Sequence, residues 1–196
     1  DKEHVSLSIA QPVPAKNGKA ANLLKNGHAW IENFTPVKNT PFRPSCFDEG
    51  SDASRVTCSI NAEHDLGEWA QAADVQLVAA VCENSAYYMG KKMTEAEIRA
   101  AYCPLHREHE KDAACCKVKV NRQGSRATRF WKVDGSRTVE PEDWTMCTFA
   151  ARIWLNGLWI TAGARQWGVS VELTDVQLTE TSTERPFETV TEDPFV

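Results

Sequence analysis

The run CTFAARIWL, Cys147 to Leu155, most narrows what this chain can fold into. It sends Cys147, Phe149, Ala151, Ile153 and Leu155 one way and Thr148, Ala150, Arg152 and Trp154 the other. A period of two is that of a strand with one face buried, and it leaves no helical stripe. The same alternation recurs in RVTCSI, with Val56, Cys58 and Ile60 on one face, in CKVKVN, with Val118 and Val120 inward, and in WGVSVELTDVQL, with Val169, Val171 and Leu173 inward. HAWIENF and TRFWKV have strand composition too. The pair Asn156-Gly157 reads as a tight hairpin turn that would fold LWITAG back beside Cys147–Leu155.

Helical spacing interrupts this pattern early. In DLGEWAQAADVQLVAAVCEN, Leu66, Trp69, Ala70, Ala73, Leu77 and Val81 share a face, and Asp65 can cap the start. A shorter helix is predicted over TEAEIRAAY, where Thr94 and Glu97 have capping-box spacing. The expected fold is therefore mainly β with inserted helices (α+β), a single OB-fold-like antiparallel barrel, although an α+β sandwich fits the same periodicity. Residues 1–25, rich in Pro, Lys, Asn and Gly, read as a flexible N-terminal arm, residues 26–178 as the domain, and residues 179–196 as an acidic tail disordered by composition.

No run approaches the roughly 18 apolar residues of a membrane helix, and the N-terminus lacks a basic start followed by an apolar stretch. The seven cysteines, without regular spacing, suggest reduced thiols rather than a disulfide frame. Cys103, His106, His109, Cys115 and Cys116 could in principle close on zinc, but their spacing matches no standard site, and the reading without a metal is adopted. No G-x-S-x-G, H-E-x-x-H, P-loop or dinucleotide turn is present, so no enzyme and no cofactor is expected.

The formal net charge of -5 argues against nucleic acid until its distribution is considered. From Thr179 to Val196, Glu180, Glu184, Glu188, Glu192 and Asp193 face Arg185 alone. Between Cys115 and Arg137, Lys117, Lys119, Arg122, Arg126, Arg129, Lys132 and Arg137 face only Asp134. Arg129 and Lys132 bracket Phe130 and Trp131, and Arg152 with Trp154 repeats the combination on another strand. Cations that track phosphates beside aromatic faces that stack on bases are the chemistry of single-stranded nucleic-acid binding. Trp131 is expected outward with Arg129, and Phe130 inward. On the proline-punctuated segment after Phe34, Phe42 and Phe47 are further stacking candidates, although such a loop is more often a flap over the core. In the tail, Phe187 and Phe195 each follow a proline, so an acidic chain with exposed rings imitates phosphate plus base.

The order of these elements resembles the podovirus-type phage replicative single-stranded DNA-binding proteins. The likeness rests on three segments, GARQWGVSVELTDVQLTE, CTFAARIWLNGLW and RVTCSINAEHDLGEWAQAADVQL, and on the tail. It implies a protein in the cytoplasm of an infected bacterial host that coats single-stranded DNA, without strong sequence preference, in replication, recombination and repair. The tail, through Phe187, Glu192, Asp193 and Phe195, would recruit a polymerase, helicase or primase and shield the groove; a homo-oligomer is left open. Two departures stand out: Val196 follows the last aromatic, and the stretch from Tyr87 to Ala114 has no counterpart. The competing reading is a protein-interaction adaptor on a small β-barrel whose basic face is incidental.

Overall fold

The computed structural model describes residues 6–46, 54–110 and 113–181. Its strands are β1 (Leu7–Ile9), β2 (Val13–Ala15), β3 (Gly18–Lys25), β4 (His28–Lys38), β5 (Arg55–Asn61), β6 (Tyr102–Cys103), β7 (His106–Arg107), β8 (Cys115–Asn121), β9 (Arg129–Trp131), β10 (Arg137–Thr138), β11 (Cys147–Thr161) and β12 (Trp167–Thr181). The helices are α1 (His64–Glu83), α2 (Ser85–Met89) and α3 (Glu95–Ala101). The strands form one curled sheet, ordered β1-β3-β4-β11-β12-β8-β5 along its main path, which is an OB-fold-like α+β architecture. Most neighbours are antiparallel; the parallel contacts all fall on β12, which runs beside β6, β8 and β9.

Alternation settles which faces are buried. Cys147, Phe149, Ala151, Ile153 and Leu155 of β11 are all buried, as are Val56, Cys58 and Ile60 of β5 and Val118 and Val120 of β8. The largest fully buried side chains include Trp30, Trp144, Trp167 and Phe149. Trp144 meets the edges of Phe130 and Phe149 at 5.8 and 5.5 Å, an edge-to-face geometry that suits the ring quadrupoles. Helix α1 buries Leu66, Ala70, Ala73, Leu77 and Val81, the face its spacing predicts. Trp69, half-buried on that helix, packs edge-on against Phe34 of β4 at 5.2 Å.

Asp65 is not the N-cap residue of α1, which is Glu63, but its Oδ1 accepts from the first-turn amide of Leu66 at 2.9 Å. Its carboxylate accepts from Lys38 Nζ at 2.5 Å, so it neutralises an ammonium that β4 carries into the interior. On α3 the capping box is present as predicted: Glu97 N donates to Thr94 Oγ1 at 3.3 Å, and Thr94 N donates back to Glu97 Oε2 at 2.7 Å. The described residues between Tyr87 and Ala114 are built into the fold, since Trp167 Nε1 at the start of β12 donates to the Ile98 carbonyl at 2.9 Å.

Three sequence expectations are corrected. Residues 7–25 are not a free arm: they supply β1, β2 and β3, and β3 buries Ala21 and Leu23. Nor is Asn156-Gly157 a turn. β11 continues through it with a bulge, and a Cβ on Gly157 would lie 2.3 Å from the Ala21 carbonyl oxygen. Glycine is there because β3 crosses β11 at that point. The tight hairpin instead uses Asn26-Gly27, both at positive φ, to join β3 to β4. At the other end β12 extends to Thr181, so the first residues assigned to the tail are strand. Phe47, Phe187, Glu192, Asp193 and Phe195 lie outside the described residues. Among those described, no helix is long and apolar enough to cross a membrane.

Gly157→Ala tests this close approach. Gly157 is not at positive φ, so the penalty comes from the Ala21 carbonyl, and the variant should be destabilised by roughly 1–3 kcal/mol, the usual penalty for overpacking. Chemical denaturation of the variant measures this.

Candidate nucleic-acid interface

The outward positions of β9, β11 and β12 converge on one face. Register places Arg129 opposite Asp175, Trp131 opposite Gln177, Arg152 opposite Asp175, and Trp154 opposite Glu172. β4 adds Asn33 opposite Arg152 and Ile31 opposite Trp154. Phe130 is buried while Arg129 is exposed and Trp131 half-exposed, so the adjacent aromatics divide as expected.

Two adjoining concavities occupy this face. A groove of about 560 Å³ is lined by Asn33, Arg129, Trp131, Arg152, Asp175 and Gln177 among others. A smaller one of about 260 Å³ shares Arg129 with it and adds Arg126, Trp154, Glu172 and Thr174. Each indole carries a guanidinium over its ring: Arg137 lies 4.6 Å from the Trp131 centroid, and Arg126 lies 5.6 Å from that of Trp154. These cations lie against the rings and add positive charge to the face.

The order within the first groove comes from a carboxylate that sequence reasoning missed. Asp175 accepts from Arg129 Nη2 at 2.8 Å and from Trp131 Nε1 at 2.9 Å, with Arg152 Nη1 at 3.7 Å. Burial pushes its carboxyl up, but hydrogen bonds from Arg129, Trp131 and Thr174, with the charge of Arg129, outweigh that and hold it below the ordinary range. Arg152 Nε also donates to Asn33 Oδ1 at 2.7 Å.

A second carboxylate, Glu172, is only 3% exposed and accepts from Asn156 Nδ2 at 3.0 Å, Asn121 Nδ2 at 3.2 Å, Arg55 Nη2 at 3.4 Å and Arg126 Nη1 at 3.5 Å. It is a structural clamp within the face. Alternation from Val171 and Leu173 puts Glu172 outward but would turn Asp175 inward; a bulge at Thr174 of β12 brings Asp175 to the outer face, and the partners of both acids lie on strands whose register the sequence does not display.

The remaining candidates separate. Lys132 is exposed at the β9–β10 turn, next to Trp131. Lys117 and Lys119 line a different groove, formed by β5, β8 and β12. Arg122 donates twice to Glu140 at 2.8 Å and lines none of these grooves, so its charge is matched by an acid. Phe42 is exposed but also stands apart from the grooves. His109 Nε2 and Cys115 Sγ approach to 3.2 Å, and His106 pairs with Gln71. Among the described residues no three His, Cys, Asp or Glu side chains gather closely enough to hold a metal.

The fold is thus a curled OB-like sheet with cations and indoles on its outer face. No protein-family model matches the sequence, and no curated protein matches it. Solved structures do match in fold. The chain is similar to gp2.5, a single-stranded DNA-binding protein encoded by bacteriophage T7, with 12% identity and a TM-score of 0.55 over 86% of this chain and 98% of that one. The single-stranded DNA-binding protein from bacteriophage Enc34, solved in complex with single-stranded DNA, aligns at 9% identity with a TM-score of 0.47, over 92% of this chain and 98% of that one.

Because the Asp175 carboxyl is held low, its contribution to stability is full above the unfolded value near pH 4 and is lost as pH falls through the lower folded value. Asp175→Asn should remove that component: thermal melts from pH 5 to about pH 2 should show a shallower decline than those of the unsubstituted protein. Parallel declines would show that the carboxylate contributes nothing to folding.

Proposed function

We propose that the protein binds single-stranded DNA without strong sequence preference and coats it during phage DNA replication, recombination and repair, without catalysis and without a cofactor. The observation that carries this reading is the face where Arg126, Arg129, Arg152 and Arg137 surround Trp131 and Trp154 in adjoining grooves. The fold shared with the T7 protein supports it. Arginines take phosphates, indoles take bases, and since every base has a π-face the contact is tolerant of sequence. Lys132, exposed beside Trp131, adds a mobile cation at the rim.

Trp131→Ala and Trp154→Ala should each weaken binding to oligothymidylate about tenfold, from a stacking contribution of roughly 1–3 kcal/mol, while the circular dichroism spectrum is kept. Binding should also weaken with salt at a logarithmic slope of about -0.7 per phosphate neutralised. Anisotropy titration at two salt concentrations reads both effects. Undiminished affinity in both tryptophan variants would instead favour a protein-interaction module with an incidental basic face.

In the same reading the acidic residues beyond β12, with Phe187 and Phe195, compete for the face and recruit replication proteins. Deleting residues 182–196 should tighten DNA binding, most at low salt, since the competition is electrostatic. Equal affinity at every salt concentration would leave the segment with partner recruitment alone.

A further inference from the structure

The groove holding Lys117 and Lys119 is separate from the face described above. It has about 550 Å³ and shares no lining residue with the other two concavities. Its walls bring together Arg55 of β5, Arg107 of β7, and Lys117 and Lys119 of β8, with no carboxylate among the lining residues. Thr57 and Ser170 add hydroxyls.

These cations are under-neutralised. Lys119 Nζ donates only to a neutral partner, Thr57 Oγ1, at 2.6 Å. Burial, and then the charges of Arg55, Lys117 and Arg107, push its ammonium below the ordinary lysine range, as expected of like charges gathered without a counter-ion. Arg107 Nε is buried and has no hydrogen-bond partner among the described residues. Lys117 is exposed, and it makes no ion pair among the described residues. Among the described residues, Arg55 alone of the four reaches an acid, Glu172, at 3.4 Å. Four positive charges held this close in a concavity call for a multiply charged anion.

One aromatic side chain completes the groove. Trp159 of β11 is half-buried, and its ring lies across Gly168, where a Cβ would stand 2.7 Å from the indole. Unlike Trp131 and Trp154, it carries no guanidinium over its ring among the described residues.

We infer that this groove is a second nucleic-acid subsite, in which Arg55, Arg107, Lys117 and Lys119 take consecutive phosphates and Trp159 takes one base. It rests on the single-strand-binding reading above. Glu172 stands between it and the first site: the buried carboxylate is reached by Arg55, which lines the second groove, and by Arg126, which lines the first. A strand occupying both sites must bridge that carboxylate, so short strands fill the Trp131–Trp154 face and only longer ones add the second groove.

The test compares oligothymidylates at the two ends of the usual OB-fold range, about 4 and about 16 nucleotides, at several salt concentrations. The unsubstituted protein should show a steeper salt slope with the longer strand. Arg107→Gln with Lys117→Gln should lower the long-strand slope by about 0.7 for each cation removed, and leave short-strand binding unchanged. Trp159→Ala should weaken only the longer strand, about tenfold. Removing mutually repelling cations does not threaten folding, and Lys117→Gln alone, on an exposed side chain, serves as a control with half the slope change. Equal loss at both lengths would overturn the division into two subsites, and no loss at either would overturn the second groove as a site. If the unsubstituted protein binds neither strand, the single-strand-binding reading fails and this inference with it.

Discussion

The Glu172 carboxylate is the interaction on which the binding face depends. It sits on β12, and its partners come from β5 (Arg55), β8 (Asn121), β11 (Asn156) and the turn entering β9 (Arg126). A carboxylate so nearly excluded from water is tolerable only when its lone pairs are satisfied by donors, at least some of them charged. Meeting that requirement pins four segments around one strand. It also explains the bulge in β11: the extra residue turns Asn156 toward Glu172, while Gly157 clears the way for β3.

The hydrophobic side of the same sheet is organised by large aromatics rather than by a uniform aliphatic layer. Trp167 begins β12 fully buried, donates to the Ile98 carbonyl, and lies against Tyr102 at 4.4 Å. Tyr102 in turn donates to Asp74 of α1 at 2.6 Å, and Asp74 also accepts from the backbone amides of Leu105 and His106. The stretch between α1 and β8 is thus tied to both neighbours by polar groups that would be costly to leave unmatched. That is why it packs as part of the core.

Much of this was legible in the sequence, for identifiable reasons. Alternation is local, so the buried faces of β5, β8, β11 and β12 and the outward turn of Trp131 followed directly from it. The helical face of α1 and the Thr94–Glu97 capping box are local too. What escaped was whatever depends on contact between distant segments. β1, β2 and β3 are short or rich in glycine and polar residues, and Leu23 becomes core in a strand that pairs with β1 and, one residue earlier, with β11. Asn156-Gly157 carries a turn signature whose glycine answers instead to a neighbouring backbone. The division of the basic residues into two grooves likewise depends on the pairing of β12 with β8 on one side and with β9 on the other.

Net charge misleads for a related reason. Electrostatic attraction at a binding face is set by charges within about a Debye length, roughly 8–10 Å, and not by the sum over the chain. Here the acids within the face are committed: Asp175 to Arg129 and Trp131, Glu172 to its four donors. They orient cations more than they cancel them, because one carboxylate is shared among two or more guanidinium groups in each cluster. A face built this way keeps a positive excess with its arginines already positioned. In the proposed single-strand reading, an anionic strand would meet donors whose side-chain ordering cost was met during folding.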